Sequence, residues 1–413
     1  MERKKYFILG LGTLLLLFCG LIYAWSLFRT PFQEMFPQWS VSQLSMTFTV
    51  SMVFFCLGGF ISGRLLMKKG ASFVISLSAL LVLAGFAGVS LIDPQDRETG
   101  LAILYGCYGI LGGTGIGLSY NAILSSVGRL FPSRPGLASG TMLLGFGMGG
   151  LVLGGLATAL IGSAGLLATF RIMGVCMFAV LLTGGIIIGR FVKNPEPAGN
   201  ADGRKTPVPG AKDGSGAEDV PAGRMLMSAP FWIFIVWNVI TNSAGLMVVN
   251  SAAVIAAGFG APAIVGMVVS LCNGIGRALM GEVFDKKGRG TALVTDCALQ
   301  ICSGLALITG AVLRSSAFII AGLVMAGFFY AGSPTIAAAY IKNVFGEKYF
   351  SVNFSIANFS LIPAALIGPT VSGSLVSAGG GSYMSTFVLI AVCGILAAFT
   401  VPLIERTAKK SAK

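Results

Sequence analysis

Histidine is missing altogether from these 413 residues, and charged side chains make up only 10% of them, against roughly a quarter in an average soluble domain. The commonest general base and metal ligand is therefore gone. The eight cysteines do not replace it: they fall inside apolar runs, form no Cys-x-x-Cys pair, and read as packing residues. No metal and no cofactor is expected. Nor do the apolar runs assemble paired carboxylates or a nucleophile with its base, which argues against a membrane-embedded enzyme.

What the chain has in quantity is apolar length. Hydrophobic residues make up 55% of it, in runs long enough to cross a bilayer and without the alternating polar faces of a soluble core. The expectation is an all-α membrane protein with twelve spans, near 6–28, 41–67, 71–92, 101–128, 136–162, 165–190, 231–257, 262–284, 291–313, 315–341, 350–377 and 383–404. The first run follows Arg3, Lys4 and Lys5 as a signal peptide would, but it is long enough to span and has no clear small-residue cleavage site, so it reads as a retained helix.

An even number of spans puts both termini on one side. With that side cytoplasmic, 23 of the 28 lysines and arginines lie in inward loops and tails and only Arg29, Arg97, Arg171 and Arg314 lie outward. The formal charge of +13 is thus explained by membrane topology and does not call for a nucleic acid. One cation, Arg277, is left inside a span. Residues 194–225, rich in proline, glycine and charges of both signs, read as a cytoplasmic linker between an N-terminal six-helix half (1–193) and a C-terminal one (226–413).

The halves echo one another. Gly63-Arg-Leu-Leu-Met-Lys-Lys-Gly70 aligns with Gly281-Glu-Val-Phe-Asp-Lys-Lys-Gly-Arg289. This pattern resembles the inter-helix signature of the major facilitator superfamily, which implies a cytoplasmic latch at Asp285, Lys286 and Arg289; the first copy has Met67 where the acid is expected. Two further stretches, Tyr23-Ala-Trp25-Ser26-Leu-Phe28-Arg-Thr-Pro31 and Arg129-Leu-Phe131-Pro132-Ser-Arg134-Pro-Gly136-Leu-Ala-Ser139-Gly140, resemble the oxalate/formate antiporter family and, more distantly, the proton-coupled monocarboxylate transporters. The resemblance implies a monomeric secondary transporter of the cell membrane, whose cargo sits midway between two rocking halves. No Walker-type motif is present, so transport would run on gradients and not on ATP.

Arg277 lies eight residues before Asp285, roughly 12 Å into the membrane at the helical rise. An intramembrane arginine costs at least a few kcal/mol and is usually kept for a partner, such as an anionic ligand; a structural ion pair is the other reading. The resemblance gives an arginine at this place the role of carboxylate anchor. Asn273, one turn earlier, shares its face, and its amide can reach a hydroxyl or keto group. Dicarboxylate-carrying relatives place a lysine where Leu361 stands, and a single cation suits a single negative charge.

Tyr330, Tyr120 and Asn121 are candidate hydrogen-bonding residues at depth, while Leu27, Phe28 and Leu144 are candidates for an apolar wall, with ordinary packing as the alternative for each. Asp296, seven residues into its helix, is a candidate proton carrier or is satisfied by neighbouring hydroxyls. The glycines from Gly145 to Gly155 follow no strand and read as a close-packing face. The expected function is secondary transport of a lactate- or pyruvate-like monocarboxylate with a proton. Carboxylate exchange and, in another class, a non-transporting membrane sensor are the alternatives.

Overall fold

The computed structural model describes residues 2–192, 219–249, 251–262 and 264–411, and among them every regular element is helical. The chain runs α1 (Glu2–Cys19), a 3-10 turn (Gly20–Ala24), α2 (Trp25–Met35), α3 (Val41–Val89), α4 (Arg97–Ile103), a π-helical stretch (Leu104–Gly112), α5 (Gly113–Gly128), α6 (Pro135–Ala164) and α7 (Leu166–Phe191). It resumes with α8 (Ala222–Leu226), α9 (Ala229–Val249), α10 (Ala252–Gly258), α11 (Val265–Lys287), α12 (Arg289–Leu313), α13 (Ser316–Phe345), α14 (Phe350–Ala357), a 3-10 turn (Asn358–Ser360), α15 (Leu361–Ala378) and α16 (Met384–Ser411).

Eleven stretches of the described residues are long and apolar enough to cross a membrane. One of them, α3, is 49 residues long; straight, it would extend about 74 Å, more than twice a bilayer's hydrocarbon core. It is not straight. Ser62 and Ser78, on either side of Gly70, bond to the carbonyls of Leu118 and Gly115, which are less than one turn apart on α5. The chain therefore doubles back at Gly70, where φ is 80°, and α3 supplies two crossings, consistent with twelve spans. Gly288 turns the chain between α11 and α12 with φ 86°. The two Lys-Lys-Gly repeats of the sequence thus end in the same left-handed hinge, which glycine adopts without steric penalty.

The molecule divides into two compact units. The first takes the N-terminal half apart from Pro132–Gly147, and the second takes that short segment with the C-terminal half. In the first unit, α5 lies against both arms of α3 at backbone distance: a Cβ on Gly58 would overlap the Thr114 carbonyl, and one on Gly117 the Phe55 carbonyl. In lipid such small-residue contacts replace the hydrophobic effect as the force between helices, with side-chain hydrogen bonds as a second contribution. Asn121 Nδ2 donates to the Gly59 carbonyl at 2.7 Å, and Ser78 Oγ lies 2.6 Å from Ser119 Oγ. Beside this contact a cluster of rings forms from Trp25, Phe28, Phe32, Phe86, Tyr108 and Phe170.

The second unit has an apolar core of Val269, Leu307, Ile319, Leu323, Phe329 and Phe387, among others. Below it a polar network joins three helices. Asn238 Nδ2 donates to Ser360 Oγ (2.7 Å), Ser333 Oγ donates to Asn238 Oδ1 (2.6 Å), and Asn242 Nδ2 donates to Ser333 Oγ (2.6 Å).

Most of the expected linker, 193–218, lies outside the described residues. Its final part is built into the second unit. Val220 N–H donates to the Phe345 carbonyl at 3.0 Å, Asn353 Nδ2 donates to the Val220 carbonyl at 2.9 Å, and Met225 on α8 is fully buried.

Substituting Leu for Asn121 removes the donor to Gly59 and leaves a carbonyl without its partner in lipid. The expected cost is about 1 kcal/mol, read as a lower unfolding midpoint of the detergent-solubilised protein. An Asn121→Gln variant, unable to place its amide at the same point, is expected to fall between.

Candidate functional site

Arg277 is 1% exposed, on the face of α11 that also carries Asn273 and Gly281. That burial is possible because the start of α6 approaches α11 closely. A Cβ on Gly136 would overlap the Gly281 carbonyl and one on Gly140 the Arg277 carbonyl; one on Gly147 would sit 3.1 Å from Arg277 Nε and 3.2 Å from Gly274 Cα. The guanidinium accordingly lies against the α6 backbone. Nη1 donates to the Leu143 carbonyl at 3.3 Å, Nε to Asn273 Oδ1 at 3.4 Å, and the Phe146 ring centroid is 5.9 Å from Cζ.

These contacts do not neutralise the charge. Both hydrogen bonds are long and engage two of the five N–H donors of the side chain. No carboxylate of the described residues pairs with it, because the ion pairs are Lys286 with Glu282, Arg289 with Glu405 and Lys342 with Glu347. The reading of Arg277 as one half of a structural ion pair therefore has no partner in the structure. What the arrangement offers is a desolvated fork with free donors, an adjacent amide and a ring, which is the chemistry of an anion site.

Of the other residues singled out from the sequence, Leu144 is half-buried beside Leu143 on α6, and Tyr330 is buried on α13 with its ring lying over Gly245 of α9. These belong to the same unit as Arg277. Tyr120, Asn121, Leu27 and Phe28 belong to the other. There Tyr120 meets Phe55 edge-on at 5.0 Å, and Asn121 Nδ2 is spent on Gly59 while its Oδ1 accepts from Ser125 Oγ. Phe28 has no exposed surface and packs 4.8 Å from Phe170 inside the ring cluster; Leu27, 41% exposed, rests Cδ1 against Gly154. Asn121 and Phe28 are thus occupied in holding their unit together. Leu361 is half-buried at the start of α15, a helix without a charged residue.

Phe146 and the Leu143 carbonyl were not legible as site groups. The glycine run around them predicts close packing but not what it packs against. The buried amides Asn238 and Asn242 were missed as well, although two asparagines one turn apart in an apolar run are a usable signal.

The latch is composed differently from its expectation. Asp285 Oδ1 and Oδ2 accept the backbone N–H groups of Gly136 (2.8 Å) and Leu137 (2.6 Å), capping the first turn of α6, where the helix dipole favours a negative charge. Arg289 grips Glu405 with Nε and Nη2 and donates from Nη1 to Asn343 Oδ1, tying α12, α16 and α13. Lys286 takes no part: it pairs with Glu282 on its own helix, an exposed i,i+4 contact that contributes little.

Residues 6–361 match the family model of the Major Facilitator Superfamily. The chain belongs to that family. A curated relative, the oxalate:formate antiporter of Oxalobacter formigenes, is 27% identical over 291 residues, covering 69% of this facilitator but only 65% of the relative, slightly under two thirds of its length. A second, the MFS-type transporter YhjX of Escherichia coli strain K12, is 24% identical over 83% of the chain and 81% of the relative. The solved structure of the proton:xylose symporter XylE superimposes with a TM-score of 0.71 at 14% identity, over 96% of this chain and 95% of that one, which fixes the fold. The protein is a multi-pass membrane protein of this superfamily.

In this facilitator Asp285 is expected to act through the α6 amides and not through a basic partner. Asp285→Ala should therefore lower stability by about 1 kcal/mol, whereas Lys286→Ala should leave the unfolding midpoint within experimental scatter. Differential scanning fluorimetry of the two variants in detergent distinguishes them.

Proposed function

We propose that the protein carries small monocarboxylates of the lactate or pyruvate kind across the cell membrane together with a proton, by alternating access. One observation carries this reading: Arg277 is buried in a membrane-length helix, and no carboxylate among the described residues pairs with it. An uncompensated cation at that depth is costly, and an anionic cargo supplies the missing charge. Asn273 and Phe146 beside it suit a molecule with a carboxylate at one end and a small apolar body.

The single cation also limits the cargo's charge. In the same unit α9 and α15 bear no charged residue, and α13 has only Lys342, in its last turn and paired with Glu347. A second carboxylate on the cargo would be buried unpaired, at a cost of several kcal/mol. Lys and Arg distribution supports cytoplasmic termini. The Oxalobacter relative, an oxalate:formate antiporter, favours a second reading, exchange of one carboxylate for another.

The test is uptake of radiolabelled L-lactate into proteoliposomes with and without an inward proton gradient. Wild-type protein is expected to accumulate lactate only with the gradient, and Arg277→Ala to lose uptake. Arg277→Lys, which keeps the charge but not the fork, should raise KM about tenfold, or 1.4 kcal/mol. Equal uptake by the alanine variant removes the anchor from the reading, while uptake that internal carboxylate stimulates and that an inward proton gradient does not accelerate favours exchange.

A further inference from the structure

One face of α12 carries Asp296, Gln300 and Ser303 at i, i+4 and i+7, and none of the three has any exposed surface. Ser303 Oγ donates to the Gly322 carbonyl of α13 at 2.7 Å, and Gln300 Nε2 donates to the Ile390 carbonyl of α16 at 3.2 Å. The acceptors fare differently. Gln300 Oε1 and both carboxyl oxygens of Asp296 have no hydrogen-bond partner.

The fold makes room for this carboxyl without giving it a partner. Asp296 lies against Gly332 of α13, where any Cβ would overlap Oδ1 and would also sit 3.3 Å from the Met280 methyl of α11. A glycine on one side and a thioether methyl on the other accommodate the group by shape alone. The charged and titratable groups on the helices packed around it include Arg277, Tyr330, Tyr340, Lys342, Cys393 and Glu405, with Cys297 adjacent on α12. None of them hydrogen-bonds to the carboxyl, and none of the ion pairs includes it.

A bare carboxylate in such a place is strongly disfavoured. Adding a proton removes the charge and creates an O–H donor, which this face lacks: Gln300, one helical turn away on the same side, presents an acceptor with no donor. We propose that Asp296 is the residue that carries the co-transported proton. This deepens the symport reading and rests on it. The step is a reversible protonation: a carboxylate oxygen takes H⁺ from water on the side of entry, and the O–H bond breaks to water on the side of exit. No electrons move, and one proton with one monocarboxylate makes the cycle electroneutral.

Infrared difference spectroscopy of the reconstituted full chain reads the proton directly, without relying on any cargo. At neutral pH the wild type is expected to show a protonated-carboxyl C=O band that shifts in deuterated water, is absent in Asp296→Asn and returns at a displaced frequency in Asp296→Glu. In the same liposomes Asp296→Asn, which keeps shape and supplies a permanent donor, is expected to hold lactate counterflow within about twofold of wild type and to lose at least tenfold of the acceleration by an inward proton gradient. Absence of the band from the wild type, or full gradient acceleration in Asp296→Asn, overturns the proposal. The glutamate variant guards against misfolding of the asparagine one, because gradient-driven uptake by it supports the assignment independently. A band that Asp296→Asn removes, in a protein that moves no lactate, supports the proton site and overturns the choice of cargo.

Discussion

Inside a bilayer no water is at hand to satisfy a charge or a hydrogen-bonding group, so each one must be matched by the chain, by a proton or by a ligand. The buried polar groups here divide along those lines. Asn238, Asn242, Ser333 and Ser360 satisfy one another across three helices. Asn121, Ser62 and Ser78 satisfy backbone carbonyls between α3 and α5. Arg277 has two long hydrogen bonds, and the carboxyl of Asp296 and Oε1 of Gln300 have no partner among the described residues. Arg277 and Asp296 are not paired with each other.

Glycine makes room for both side chains. On α6, Gly136, Gly140 and Gly147 bring a helix backbone against the Arg277 face of α11; bulkier residues there would push the helices apart and admit lipid or water to the guanidinium. On α13, Gly332 leaves the space into which the Asp296 carboxyl fits. Later along α6, Gly149 and Gly154 meet Leu17, Gly20 and Leu27 in the first unit, so one glycine-rich helix contributes packing surface to both units. Helices that touch through backbone instead of interlocked side chains lose little on sliding.

The end of α11 and the start of α12 are held by a different kind of contact. Asp285 caps the amides of Gly136 and Leu137, and Arg289 binds Glu405 in a two-point grip. Both lie at the end of α11 or the start of α12, on either side of the Gly288 hinge, so the hinge of the repeat and the two ties beside it occupy one short stretch of chain. The first repeat reaches the same hinge at Gly70 without an acid at residue 67.

The sequence by itself determined the helical membrane fold, the doubling back at Gly70, and the burial of Arg277 and Asp296 inside membrane-length helices. Apolar run length, glycine punctuation and the cost of burying a charge are all local quantities, readable one segment at a time. Tertiary structure decided the partners. That Asn121 and Phe28 hold their unit together, that Lys286 stays on its own helix, that Leu143 and Phe146 lie beside Arg277, and that Asp296 faces Gly332 with no donor follow from which helix face meets which. In lipid that choice rests on close backbone contact between small residues, and a stripe of glycines announces such a contact without naming the helix on its other side.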